Sequence, residues 1–151
     1  MLFRSALEPL HEETARQQIR LFTRLAGGAN ELLVDRVQVE TVIHSLVSNA
    51  MEAIASAHVT TREICVSAEH PADGRVRCAV TDTGPGINPS IAGRLLEPFA
   101  TTKPTGIGLG LAMSRSMIES HGGALWLERP STGDTAFCFT LPLADTREGS
   151  S

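Results

Sequence analysis

Residues 97–123 read EPFATTKPTGIGLGLAMSRSMIESHGG, a glycine- and threonine-rich stretch that holds one lysine and runs into an amphipathic segment. Three glycines alternate where a helix is predicted to begin: Gly106, Gly108 and Gly110. Glycine allows close backbone approaches, and the unpaired N–H groups of a helix N-terminus suit an anion, especially phosphate. An ordinary loop and helix cap would use the same residues, so this stretch alone leaves both interpretations open.

Composition and charge narrow the class of protein. The chain has 151 residues, 42% hydrophobic and 20% charged, which is typical of one globular domain with a real core. A net charge of −4 disfavours nucleic acid or an anionic membrane as a partner. A phosphate ligand would then be held by local amide dipoles, a few basic side chains and a metal ion.

The cysteines and the absence of a long apolar run indicate a reduced, cytoplasmic setting. Three cysteines give an odd count without metal-site spacing, and we interpret Cys65 and Cys78 as small buried residues of strands. No apolar run approaches about 18 residues, and no signal peptide is visible.

The rest of the chain predicts an α/β layer structure with three main helices and several hairpin-like strands. Apolar residues recur at helical spacing after Asp35, a predicted N-cap with Gln38 as its capping-box partner: Val39, Val42, Ile43, Leu46, Val47, Ala50, Ala53, Ile54 and Ala57. Residues 62–69 and 75–82 read as two strands of a hairpin. The other predicted elements are a helical lead-in over 4–18, strands over 19–25, 124–128 and 135–143, a short helix over 91–99 and a helix over about 109–120 that ends at Gly122–Gly123.

Polar residues in three places are candidates for a binding site. Asn49 lies beside the apolar stripe, where its amide oxygen would suit Mg²⁺ or would form a solvated helix edge. Asp82 ends a strand in DTGPGI, where the carboxylate would accept from an exocyclic amine such as that of adenine, or would form a turn with Gly84. Apolar walls for a flat purine are available from Ile87, Leu95 and Phe99. Lys103 would reach a terminal phosphate as a point charge, or would be a solvated loop lysine.

Together, and in this order, the pieces resemble the catalytic, ATP-binding domain of sensor histidine kinases, in the gyrase–Hsp90–kinase–MutL superfamily. LVSNAMEAI resembles the N box, DTGPGI the first glycine box, EPFATTK the F box, and GIGLGLAMSRSMIESHGG the second glycine box. The short TTKP lid is most similar to that of the FixL and NtrB type. The resemblance covers residues 19–143, and it implies a two-layer α/β sandwich in which a mixed sheet carries helices on one face and ATP lies between the helices and a lid.

The resemblance also implies a role for individual residues. Asn49 would coordinate Mg²⁺, Asp82 would bind the adenine amine with Gly86 beside the ring, and Lys103 would approach the terminal phosphate. The nucleotide-binding set carried over from the family is Asn49, Ala53, Asp82, Gly84, Gly86, Ile87, Leu95, Phe99, Thr101, Thr102, Lys103, Gly106, Gly108, Leu109, Gly110, Leu111 and Thr135. The implied chemistry is transfer of the ATP γ-phosphoryl group to a histidine nitrogen, which depends mostly on positioning and charge neutralisation.

Two departures from the family pattern bear on activity. Ser45 stands where kinases usually have Asn and gyrase-like ATPases have a water-activating Glu, which argues against an efficient ATPase and predicts weaker kinase activity. His11 is followed by Glu12, but HEETARQQ lacks the continuation of a phosphoacceptor motif, and a dimerisation helix pair does not fit before residue 19. We therefore expect one domain over residues 1–143 with a disordered tail over 144–151, monomeric and unable to phosphorylate itself.

The partners implied are a histidine-bearing dimerisation domain and, indirectly, a response-regulator receiver domain, with no direct membrane contact. Two alternatives stay open at this point. One is a degenerate nucleotide-binding regulatory module, which Ser45 favours, and the other is a protein serine kinase of the anti-sigma type, which shares the four boxes.

Overall fold

A computed structural model describes residues 2–26, 36–55, 60–69, 72–84, 107–128 and 135–142. The helices are α1 (Leu2–Leu7), a 3-10 helix (Glu8–Leu10), α2 (His11–Arg16), α3 (Arg36–Ala55) and α4 (Ile107–Ser120). The strands are β1 (Arg20–Leu25), β2 (Glu63–Ala68), β3 (Arg75–Asp82), β4 (Leu125–Glu128) and β5 (Thr135–Pro142).

The five strands form one mixed sheet in the order β1-β2-β3-β5-β4. β1 and β2 are parallel, whereas the β2–β3, β3–β5 and β5–β4 pairs are antiparallel. α3 packs on β2 and β3, and α4 packs on α3, β4 and β5, so the helices cover one face of the sheet. The predicted two-layer sandwich is confirmed.

The predicted β2–β3 hairpin is also confirmed, and its turn explains why this sequence closes it. Ala72 and Arg75 exchange both backbone hydrogen bonds, at 2.9 and 3.0 Å, around Asp73 and Gly74. Both central residues have positive φ, 55° and 74°. A two-residue turn of this kind matches the twist of antiparallel strands, and Asp-Gly is one of its preferred sequences.

The core lies between α3 and the sheet. The predicted apolar stripe of α3 is buried along most of its length, with Met51 added to it: Val39, Val42, Ile43, Leu46, Val47, Ala50, Met51 and Ile54. Strands β2 and β3 alternate buried and half-buried residues, as expected when only one face meets the helices. α1 adds Phe3, Ala6 and Leu7, each at most 1% exposed. Replacing Phe3 by Ala would lower the free energy of unfolding by about 3–5 kcal/mol.

The N-terminal lead-in differs from the continuous helix compatible with residues 4–18. Pro9 lies at the start of the 3-10 helix that separates α1 from α2. Proline lacks a backbone N–H and its ring clashes with the carbonyl four residues earlier, so an unbroken helix is not available.

The second long helix begins at Ile107, two residues earlier than predicted, which places Gly108 and Gly110 in its first turn. Its end is as predicted. Gly122 has φ 82°, its N–H donates to Glu119, and the Gly123 N–H donates to Ile118. These two bonds satisfy carbonyl groups of the last helical turn in a Schellman motif. Glycine adopts the positive φ of this motif without a steric penalty.

Several predictions concern residues outside the described ranges. They are the Asp35 N-cap, the C-terminal end of the α3 stripe at Ala57, the short helix over 91–99 and the polar tail.

Cys78 and Cys138 are buried, but Cys65 is only half-buried. The expectation of a buried Cys65 was wrong because, between buried Ile64 and Val66, it points to the other face of the sheet.

Candidate functional site

α3 presents one line of small and polar residues beside its apolar stripe. Ser45, Asn49 and Ala53 follow each other at intervals of four, so they lie along one side of the helix. All three are half-buried. The structure shows no hydrogen bond from the side chain of Ser45 or Asn49 to another described residue. Both polar groups are therefore available to a ligand on this side of α3.

The loop after β3 meets the end of that line. Asp82 is only 3% exposed, and its Oδ1 accepts a 2.8 Å hydrogen bond from the Gly84 N–H. A Cβ placed on Gly84 would lie 2.8 Å from this Oδ1 and 3.2 Å from the Ala53 Cβ. Real Cβ atoms essentially never come within 3.0 Å of another heavy atom, so a side chain at position 84 would displace the Asp82 carboxylate and press on Ala53.

Thr135 joins Asp82 from the next strand. The β3–β5 register places Thr135 directly opposite Asp82, and Thr135 is also 3% exposed. Directly opposed residues of an antiparallel pair share one face of the sheet. Here that face also carries the buried residue Val80, so Asp82 and Thr135 lie on the helix side. The sheet thus adds a buried carboxylate and a buried hydroxyl to the α3 line.

α4 closes the described part of the site. It packs against α3, and Leu111 in its second turn is buried. The backbone N–H groups of a first helical turn have no partner within the helix, and in α4 that turn contains Gly108, Leu109 and Gly110. Amides of this kind suit an anion, and the phosphate site expected here stays a prediction.

The structure brings together Asn49, Ala53, Asp82, Gly84 and Thr135, and the adjoining helix α4 carries Gly108, Leu109, Gly110 and Leu111. The other predicted site residues lie outside the described ranges: Gly86, Ile87, Leu95, Phe99, Thr101, Thr102, Lys103 and Gly106. Among the described residues, no group of three or more His, Cys, Asp or Glu side chains could hold a metal ion.

One contact beside the site was not foreseen. His44 precedes Ser45 on α3, and its Nε2 donates to the Ala6 carbonyl oxygen of α1 at 2.6 Å. Nothing in the sequence pattern of either helix signals this contact, because it joins segments far apart in the chain. It ties α1 directly to the helix that carries Asn49.

The described groups are chemically suited to a purine nucleotide. A buried carboxylate with one oxygen bonded to a backbone N–H can accept from an exocyclic amine. Gly84, which has no Cβ, lets the loop lie close to Asp82 and Ala53. An amide oxygen is a hard donor of the kind that Mg²⁺ uses when phosphate oxygens supply most of its other ligands.

Comparisons with known proteins agree with the fold. The family model described as histidine kinase-, DNA gyrase B-, and HSP90-like ATPase matches residues 34–145. The sensor protein FixL of Bradyrhizobium diazoefficiens is 43% identical over 129 residues, which are 85% of this chain and 25% of that protein. The chain thus spans about a quarter of this relative's length.

Solved structures are similar over nearly the whole chain. The catalytic domain of histidine kinase ThkA superposes with a TM-score of 0.79 at 28% identity, covering 94% of this chain and 90% of that one. Full-length ShkA, solved in complex with AMPPNP, gives a TM-score of 0.79 at 25% identity and covers 96% of this chain and 30% of that one. ThkA has also been solved in complex with the response regulator TrrA, with a TM-score of 0.75 at 27% identity, covering 95% of this chain and 40% of that one.

Proposed function

Because this chain belongs to the histidine kinase-, DNA gyrase B-, and HSP90-like ATPase family, we propose that it is the ATP-binding catalytic domain of a sensor histidine kinase. It transfers the γ-phosphoryl group of ATP to a histidine on a dimerisation domain, from which a response regulator receives it. The observation that carries the proposal is the buried carboxylate of Asp82, which accepts a hydrogen bond from the Gly84 N–H. Gly84 lies against Ala53, and Ala53 is one helical turn from Asn49 on α3. The similarity to FixL supports the kinase assignment over the other activities of the family.

Each residue of the proposed site has a defined task. Asp82 accepts from the adenine amine, which selects adenine over a base with a carbonyl at that position. Gly84 and Gly86 allow the ring to approach the backbone. The first-turn amides of α4 and Lys103 bind the phosphates, with Lys103 nearest the terminal one.

Asn49 would supply an amide oxygen to Mg²⁺, and the bound cation would provide charge neutralisation for the phosphates. Ser45 offers a shorter hydroxyl one turn earlier on the same side of α3. Restoring an amide with Ser45→Asn should tighten Mg²⁺-dependent nucleotide binding, whereas Ser45→Ala should leave it unchanged or weaker. Titration of ATP by calorimetry, with and without Mg²⁺, measures the difference.

In the transfer itself, the bond between the γ-phosphorus and the bridging oxygen breaks, ADP leaves, and a phosphorus–nitrogen bond forms to the acceptor imidazole. A neutral imidazole is already a nucleophile, so the domain supplies positioning and charge neutralisation rather than a strong base. We place the reaction in the cytoplasm, where ATP is available. No helix among the described residues combines the length and apolar character that a membrane crossing needs.

The test uses γ-labelled ATP and Mg²⁺ with this chain alone and with an added histidine-bearing dimerisation domain. Acid-labile label on the added domain, and none on this chain alone, is the expected result. Bound nucleotide without transfer would favour a regulatory module in place of the kinase. Rapid release of free phosphate would indicate a gyrase-like ATPase.

A second experiment tests the adenine assignment separately. Asp82→Asn removes a charged acceptor and adds amide donors, so nucleotide affinity should fall by about tenfold to a hundredfold, the usual worth of a hydrogen bond to a charged group. Circular dichroism and urea unfolding confirm that the variant is folded. An Asp82→Asn variant that binds ADP as tightly as the parent would refute the assignment.

A further inference from the structure

The residue between Asp82 and Gly84 is bonded to the start of β2 through its side chain as well as its backbone. The Thr83 N–H donates to the Glu63 carbonyl oxygen at 3.2 Å. The Glu63 N–H donates to the Thr83 Oγ1 at 2.9 Å. In a regular antiparallel pair the acceptor of this second bond is a backbone carbonyl oxygen. The Thr83 side chain thus takes the place of a carbonyl group where the β2–β3 ladder ends.

The Thr83 hydroxyl also uses its single hydrogen. Its Oγ1 lies 2.6 Å from the Thr61 carbonyl oxygen and 3.4 Å from that of Glu63, so Thr61 is the main acceptor. A hydroxyl offers one donor together with acceptor lone pairs, and here both functions are occupied. Among side chains of similar size, serine keeps both functions and valine keeps neither.

The segment that receives these bonds is itself held by the N-terminal part of the chain. The Arg62 guanidinium donates to the Gln17 carbonyl oxygen through Nε at 3.3 Å and through Nη2 at 3.0 Å. Gln17 is the C-cap residue of α2, and an arginine can satisfy the carbonyl groups that lack a partner at a helix C-terminus. The Arg62 carbonyl oxygen accepts from the Arg20 N–H at 2.9 Å. Thr83 is therefore bonded to a segment that both α2 and β1 hold in place.

These bonds restrain the turn that carries the Asp82 carboxylate. Thr83 is the middle residue of this turn, and the 2.8 Å bond from the Gly84 N–H to the Asp82 Oδ1 closes it. Loss of the Thr83 hydroxyl would leave the Glu63 N–H without its acceptor and would release the turn from β2. The Asp82 carboxylate would then occupy a range of positions rather than one.

We propose that Thr83 is a positioning residue for nucleotide binding, an inference that rests on the nucleotide site proposed above. In this role Thr83 does not contact the base. Its hydroxyl holds the Asp82 carboxylate where the adenine amine meets it. An acceptor that is already ordered binds more tightly, because no ordering cost is incurred when the ligand arrives. Nucleotide affinity thus depends on Thr83 through Asp82.

The first test compares ADP affinities by calorimetry in Thr83→Val, Thr83→Ser and the matched control Thr81→Val. Thr81 lies two residues earlier in the chain, and its side chain has no hydrogen bond to another described residue. Thr83→Val should bind ADP about fivefold to tenfold more weakly, which is the usual worth of one hydrogen bond. Thr83→Ser and Thr81→Val should bind ADP like the parent.

A double-mutant cycle separates positioning from general stabilisation of the fold. In an Asp82→Asn background, Thr83→Val should cause little further loss of ADP affinity, because the group that Thr83 positions has already been changed. Effects of two independent residues would add instead. Urea unfolding checks that every variant is folded, and Thr83→Ala takes the place of Thr83→Val if the branched side chain prevents folding.

Three results would overturn the proposal: unchanged ADP affinity in Thr83→Val, a Thr83→Ser variant that binds as weakly as Thr83→Val, or additive losses in the cycle. Weak binding by Asp82→Asn beside normal binding by Thr83→Val would refute only the positioning role. Absence of ADP binding by the parent, or an Asp82→Asn variant that binds as tightly as the parent, would refute the proposed nucleotide contact and this inference with it.

Discussion

Replacing Gly84 by Ala perturbs the contact that joins the β3 loop to α3. The added Cβ would lie 2.8 Å from the Asp82 Oδ1 and 3.2 Å from the Ala53 Cβ. Both distances are shorter than an ordinary van der Waals contact of 3.4–4 Å. Asp82 is the nearer group and is held at this position by the Gly84 N–H, so we expect the carboxylate to move before the helix does.

The magnitude follows from these two contacts. Overpacking of a buried site costs about 1–3 kcal/mol, and we expect the free energy of unfolding to fall by about 2 kcal/mol. Displacing Asp82 from the adenine amine removes a hydrogen bond to a charged group, worth about 1.5–3 kcal/mol. Nucleotide affinity should then fall by about tenfold to a hundredfold.

Urea unfolding and calorimetric titration with ADP measure the two effects. Gly74→Ala is the matched control, because a Cβ there meets nothing within 4 Å but φ is 74°. That variant should lose about 1 kcal/mol of stability through backbone strain and keep full nucleotide affinity. If Gly84→Ala binds ADP like the parent, Asp82 is not the group that receives the base, and the reasoning fails.

Three further changes test the fold. Gln18 has φ 58°, so Gln18→Gly should raise the free energy of unfolding by about 0.5–1 kcal/mol in urea titrations. Gly123→Ala would place a Cβ against the Thr140 carbonyl, and we expect a loss of about 3 kcal/mol in the same assay. Burial raises the pKa of the Cys78 thiol far above its ordinary 9.0, so above pH 9 the unfolded chain loses this proton and the folded chain keeps it. Stability should therefore decline above pH 9, and less steeply in Cys78→Ala when melting temperatures are compared across pH.

Regular patterning made much of the fold predictable. The 3.6-residue period predicted the helix α3, and the two strand-like segments 62–69 and 75–82 predicted a hairpin; both predictions are confirmed. Ala53 shows the limit of periodicity. It belongs to the apolar stripe, yet it is half-buried because it contacts Gly84 at the site rather than the core. A hydrophobic pattern in the sequence does not distinguish a residue of the core from an apolar residue of the site.

The missed features depend on partners that lie far away in the chain. The His44 bond to Ala6 and the pairing of Asp82 with Thr135 come from tertiary packing and strand order, which local spacing does not encode. Pro9 and Cys65 are different, because proline chemistry and the two-residue period of a strand do predict their behaviour when applied residue by residue. The order of the motifs in the sequence indicated which residues belong to the candidate site. Their relative positions depend on the strand order of the sheet.

The pairing of Asp82 with Thr135 also has a consequence for when the site forms during folding. The β2–β3 hairpin closes over a short loop, whereas the β3–β5 ladder joins segments separated by α4 and β4. Contacts of long sequence separation carry a larger loop-closure cost and limit folding rates. Asp82 pairs with Ile64 at the open end of this hairpin, but the pocket it faces is complete only after the last strand has docked. A ligand of that pocket binds only chains that have finished folding, so raising its concentration increases the proportion of chains that stay resistant to proteolysis.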